Sequence, residues 1–186
     1  MDGGHEGYPG VIDRERSGGY LIGMHRDHTY RALLVWEGNH GEGTSTYQGY
    51  GRRWRAFIDG KPDLVGTADP AFRGEPERHN PEDLLVVSLS SCHMLTYLAL
   101  CAQNRISVVS YSDEATGVMA TTPEGGGRFK LVTLRPKVEI TDAARLETAR
   151  QLHEKAHALC FIAASVNFPV HHEAHLSAVP AAGASA

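Results

Sequence analysis

The sequence predicts an α+β fold, and three of its features carry that prediction. An apolar run from Leu84 to Cys101 follows a helix-starting signal at Asn80-Pro81. An alternating segment from Ile106 to Ala120 turns at Thr122–Gly127 and returns as Phe129 to Ile140, the pattern of a hairpin. A second helical pattern runs from about Asp142 to Ser165. The 186 residues suffice for one domain with its own core, and 41% hydrophobic with 22% charged residues is ordinary for a globular chain.

Taken in order, residues 1–24 combine glycine and charge without a sustained period and are expected to form a flexible extension. Residues 25–179 are expected to make a single domain, and the small residues of 180–186 a disordered tail. His28 to Trp36 reads as a strand, Glu37 to Gly43 as a turn, and Thr44–Tyr50 and Arg53–Ile58 as two further strands. Leu64 to His79 reads as an irregular loop. Asn80 is then a good N-cap, Pro81 fits the first helical position, and Glu82 and Asp83 sit at the positive end of the helix dipole. The helix that follows is apolar on nearly every face, which predicts burial in the centre of the fold. The second helix is amphipathic through Leu146, Ala149, Leu152 and Ala156, stops at Asn167-Phe168-Pro169, and leads into a last strand, Val170 to Ala178. The order is three strands, helix, hairpin, helix, strand.

Composition excludes several classes. A net charge of −4 leaves no basic footprint for nucleic acid. The apolar run Leu84–Cys101 falls short of the roughly 20 residues a membrane span needs, and Ser88, Ser90, Ser91 and His93 interrupt it. With no leader-like apolar segment at the N-terminus, a cytoplasmic protein with no membrane partner is expected. In a reducing compartment, paired cysteines are more often catalytic, redox or metal-binding than structural.

Two constellations carry chemistry. His153-Glu154-Lys155-Ala156-His157 is an HExxH on a helix, which predicts either a zinc hydrolase with Glu154 as base or, more simply, solvated or helix-capping histidines. A third ligand is missing, since Leu159, Cys160 and Ala163 occupy the downstream positions. The other constellation is Cys92 on the first helix and Cys160 on the second, each with a histidine nearby, His93 and His157. The residues alone leave a redox pair, core thiols and a Cys/His metal site all open. Cys101 reads as packing.

At these residues the chain resembles a known family. Asn80-Pro81-Glu82-Asp83-Leu84, Ser91-Cys92, Ala156-His157-Ala158-Leu159-Cys160 and Asn167, together with Gly41-Glu42-Gly43-Thr44, are similar to the OsmC/Ohr family of organic hydroperoxide reductases. The resemblance implies antiparallel sheets wrapped around two long central helices in an intertwined homodimer, with active sites between subunits. It implies a thiol peroxidase in which Cys92 attacks an organic hydroperoxide and Cys160 closes a disulfide, with Glu82 and an arginine holding the reactive sulfur. No bound cofactor is implied; an external thiol, dithiol or lipoyl-type reductant restores the thiols. A non-catalytic dimer of the same fold binding a small apolar ligand is the other reading it allows. The sequence departs from the family in three places: His40 stands where the arginine is expected, His93 where a Phe follows the first cysteine, and Phe161 where a Pro follows the second. Arg53, Arg73 and Arg78 are candidates to replace the arginine.

Overall fold

A computed structural model describes residues 27–179. The chain divides into two compact units between Arg31 and Ala32, and everything below concerns the second. The expected extension at 1–24 and tail at 180–186 lie outside the described residues.

Nine strands make three three-stranded sheets. The first holds β1 (Leu33–Trp36), β2 (Trp54–Phe57) and β3 (Leu64–Gly66), all antiparallel. The strand expected at Thr44–Tyr50 does not form. Asn39 Oδ1 accepts from the Gly41 and Gly43 amides at 2.9 and 3.0 Å, both glycines have positive φ, and the segment coils into successive turns instead. Conversely, Leu64–Gly66 is a strand within the expected loop, because its Leu64 and Val65 extend the β2 edge.

The long hairpin is present but broken into two sheets. β4 (Val108–Asp113) pairs with β7 (Pro136–Ile140), and β5 (Thr116–Thr121) with β6 (Gly127–Leu134). The break falls where Pro136 has no N–H and Asp113 Oδ1 takes the Arg135 amide at 2.6 Å, so a side chain replaces a ladder partner. The last strand is also split, into β8 (Val170–His172) and β9 (His175–Ala178), which run parallel to β6 and β7.

Helix α1 spans Pro81–Gln103, opened by a capping box in which Asn80 and Asp83 each accept the other's backbone N–H, at 2.8 and 3.2 Å. At 23 residues it is longer than the apolar run alone indicated, and by length and composition it meets the standard of a membrane span. Leu89, His93, Tyr97, Leu100 and Cys101 on it are buried against the second helix and the sheets. The expectation of burial on every face is corrected, however. Val87 and Leu95 are 59% and 62% exposed, so one apolar flank of the helix is open.

The second helix is interrupted. A 3-10 turn (Ala143–Arg145) leads into α2 (Leu146–Leu159), and α3 (Phe161–Ala164) follows after a single extended residue, Cys160, at φ −72° and ψ 111°. Helices α1 and α2 meet over Tyr97, Leu100, Cys101, Ala149, Leu152 and Ala156. A separate apolar cluster joins Leu89 to Val132 and Leu134 of β6.

Candidate functional site

The interruption at Cys160 places its sulfur. Because the residue is extended, its carbonyl accepts from the Ala164 amide at 3.0 Å as the cap of α3. The amides of Ile162 and Ala163 face the thiol and favour its ionised form. Across from it, the Cys92 side chain of α1 is close enough to act on the Cys160 thiol. All three cysteines are free thiols.

The two partners are unequal. Cys160 is 1% exposed, whereas Cys92 is half-buried. Burial pushes the Cys160 thiol up to about 11, the neighbouring Cys92 adds to the rise, and the two α3 amides offset only part of it. Cys160 therefore holds its proton at neutral pH, and a molecule arriving from solvent meets Cys92 first. Cys101 is buried with its thiol pushed up chiefly by burial, consistent with packing.

Beside the thiols lies a layer of histidines; His93, His153 and His157 were singled out in the sequence, but their pairing and His172 were not. His93 and His153 are both 1% exposed, and His93 Nε2 meets His153 Nδ1 at 3.0 Å. Tyr97 stacks on the His153 ring at 3.8 Å between centroids. His172 of β8 stands 5.4 Å from His93, and His157 stands 5.5 Å from His172. The expectation of solvated or capping histidines in the HEKAH helix is thus corrected for His153, which faces inward. Glu154 faces outward and approaches His172 at 3.6 Å. Among the described residues no group of three or more His, Cys, Asp and Glu side chains is arranged to hold a metal ion. The zinc-hydrolase reading therefore lacks its ligand set. The signal that was available was the apolar flank: His153 follows Leu152 on the same buried stripe as Ala149 and Ala156.

Glu82 sits at the other end of α1, with Oε2 buried and unpartnered. It opens into a cleft of about 520 Å3 bordered by Asp69, His79, Val86, Gly117 and Met119. Ten residues of continuous helix separate Glu82 from Cys92 (92 − 82), about 15 Å at 1.5 Å per residue, so Glu82 cannot touch the sulfur of its own chain. Two of the three candidate arginines, Arg53 and Arg78, are occupied, and Arg73 caps the short 3-10 turn Pro70–Phe72. Arg53 forks onto Glu75 at 2.6 and 2.9 Å, and Arg78 binds the same carboxylate at 2.9 Å. Those two guanidiniums hold the Glu75 carboxyl at about 2. The loop they brace is tight, since a Cβ on Gly74 would collide with the Ala68 carbonyl oxygen. His40 is exposed, with Nε2 directed at Gly51.

Residues 74–175 match the family model described as OsmC-like protein. The chain belongs to the OsmC family. Among solved structures, it is similar to an OsmC-like protein of unknown function from Vibrio cholerae O1 biovar eltor, at 30% identity and a TM-score of 0.72, over 80% of this chain and 99% of that one. An organic hydroperoxide resistance protein from Elizabethkingia anophelis, crystallised with thiocyanate, shares the fold at 17% identity and a TM-score of 0.59, over 84% and 100% of the two chains. An organic hydroperoxide resistance protein OsmC from Legionella pneumophila does so at 20% identity and a TM-score of 0.56, over 81% and 97%. No curated protein matches the chain.

For an OsmC-family chain, the structure brings Cys92 and Cys160 near one another but leaves Glu82 ten residues back along α1, while His40 lies exposed after β1. The OsmC departures also acquire positions. His93 replaces an apolar neighbour of Cys92 with a buried polar one, and Phe161, where Pro is expected, is 82% exposed at the start of α3.

Proposed function

We propose that this OsmC-family protein is a thiol-dependent peroxidase that reduces organic hydroperoxides to alcohols. The observation that carries the reading is the unequal dithiol: a half-buried Cys92 beside a buried Cys160 that keeps its proton. As a thiolate, Cys92 attacks the distal peroxide oxygen. The S–O bond forms, the O–O bond breaks, and the alkoxide takes a proton and leaves as the alcohol. Cys160 then attacks the sulfenic sulfur, releasing water and leaving a Cys92–Cys160 disulfide. Two thiols, or one external dithiol such as a lipoyl group, return both cysteines by exchange. The two sulfurs carry both electrons, so no resident cofactor is required. The hydroperoxide-resistance proteins that share the fold fit this reading.

The active unit in this proposal is a homodimer. The open apolar flank of α1, through Val87 and Leu95, is where a second copy would pack, and Glu82 of that copy is then free to approach Cys92. Beside the flank runs a cleft of about 400 Å3 with Val86, Val87, Met94 and Ala115 on its apolar side and Ser90, Ser91 and Asp113 on its polar side. Replacing both Val87 and Leu95 with lysine should give monomers in sedimentation equilibrium and a loss of turnover of at least about tenfold. An unchanged dimer would place the subunit contact elsewhere.

A free-thiol count tests the chemistry directly. One equivalent of cumene hydroperoxide should remove two thiols from the wild type, and Cys160→Ser should instead accumulate a sulfenic acid trapped by dimedone. Retention of all three thiols in the treated wild type would overturn the proposal.

A further inference from the structure

We infer that the buried His93–His153 pair is a positioning lock that sets the register of α1 on α2 and so holds Cys92 opposite Cys160. The inference rests on the reading of those two sulfurs as a redox pair. The geometry of the two rings supports it. Their planes are 7° apart, and the 5.3 Å between centroids is the 3.0 Å nitrogen–nitrogen distance plus one ring radius on either side. The imidazoles therefore lie end to end rather than face to face, joined by a near-linear N–H···N bond. A hydrogen bond of that geometry is directional and falls off steeply with misalignment. The contacts around it, among Leu100, Leu152, Ala149 and Ala156, are apolar and tolerate sliding.

The consequences of slippage are asymmetric. Each ring is buried, and neither outer nitrogen, His93 Nδ1 or His153 Nε2, has another partner. Breaking the bond would leave both buried rings without the one hydrogen bond each makes, the situation that penalises an alternative register most. Tyr97, one helical turn after His93, fixes the plane of the His153 ring by stacking on it. His93 is adjacent to Cys92, and His153 lies seven residues (160 − 153), about two turns, before Cys160. The bond thus ties the segment of α1 that carries Cys92 to the helix α2 that leads into Cys160. The alternative, that the rings merely fill space, makes no use of their alignment.

The test measures the effective concentration of the Cys92 and Cys160 thiols for one another, from the disulfide's equilibrium with glutathione at pH 7.5. It uses no peroxide, so a failure of the peroxidase reading and a failure of the lock are separable. His93→Leu/His153→Leu keeps apolar volume without the bond, and its effective concentration should fall at least tenfold, about 30 mV in the two-electron couple. His93→Gln/His153→Asn puts amide groups where Nε2 and Nδ1 now stand, and it should return to within about threefold of wild type. An unchanged potential in the leucine pair overturns the proposal, as does failure of the amide pair to restore what leucine loses. Absence of any Cys92–Cys160 disulfide across the glutathione series overturns it too. A further measurement needs no variant. In 15N-labelled wild type, a scalar coupling across the bond between His93 Nε2 and His153 Nδ1 should be present, and its absence in the folded, reduced protein would also overturn the lock.

Discussion

Cys92→Ser should abolish hydroperoxide turnover, with kcat/KM falling by at least about a thousandfold, while the protein stays folded. The size of the effect follows from chemistry. A serine hydroxyl is a far weaker nucleophile towards peroxide oxygen than a thiolate and cannot pass through the sulfenic and disulfide states that complete the cycle. The modest structural cost follows from burial: Cys92 is half-buried, and the change exchanges one small atom for another. Cys160→Ser should behave differently, because the first step needs only Cys92. One turnover should proceed and then stall at the sulfenic acid, unless a small thiol in the assay reduces it directly. Cys101→Ser should leave turnover in place, since that thiol lies away from the pair in the α1–α2 core. The three variants, assayed with cumene hydroperoxide and dithiothreitol, separate the roles of the three cysteines. Full activity in Cys92→Ser would remove the peroxidase assignment altogether.

How much of this was legible in the sequence varies by element. The cap at Asn80, the long apolar helix and the return hairpin were all readable, because local rules decide them: a side-chain acceptor at the N-cap, apolar period, turn composition. The family was readable from the two cysteine motifs in order. What escaped depends mostly on contacts distant in sequence, and in one stretch on a local turn that outcompetes strand propensity. The hairpin's division into two sheets is decided by Asp113 reaching the Arg135 amide, 22 residues away. Thr44–Tyr50 has strand-forming residues, yet Asn39 and two glycines turn the chain before they can pair. His93 and His153 are 60 residues apart, and nothing local to either tells that one will end in the other's plane. The fate of Arg53 was hidden for the same reason, its partner lying 22 residues away. Glu75, unremarkable in a loop, captures both Arg53 and Arg78 and leaves Glu82 without a cation from either.

The buried histidines should also make the fold acid-labile well before its carboxylates protonate. Burial, reinforced by neighbouring His172 and His157, holds His93 at about 4, and burial with His93 and His172 nearby holds His153 at about 3. In the unfolded chain both titrate near 6.5, so between that pH and the folded values the unfolded state binds more protons. Stability is therefore whole above about pH 6.5, erodes as pH falls below it, and goes on eroding until the folded histidines themselves take up protons near 4 and 3. Each tenfold difference in proton affinity between the folded and unfolded chain is worth about 1.4 kcal/mol, so the pair amounts to a few kcal/mol by pH 4.5. That is a large share of the roughly 5–15 kcal/mol typical of a domain. His172 acts in the same direction: burial holds it below its ordinary value, and Glu154 at 3.6 Å, which favours its charged form, offsets only part of that. The Glu75 ion pairs give way later still, because a carboxyl held near 2 keeps its charge until the histidine effect is spent. Urea midpoints at fixed protein concentration should accordingly fall steeply between pH 6.5 and 4.5 in the wild type. In His93→Gln/His153→Asn, where neither side chain titrates, the slope over that interval should flatten. An equally steep slope in both proteins would mean that some other group carries the acid sensitivity, and that the buried histidine pair accepts a proton as readily as a solvated one.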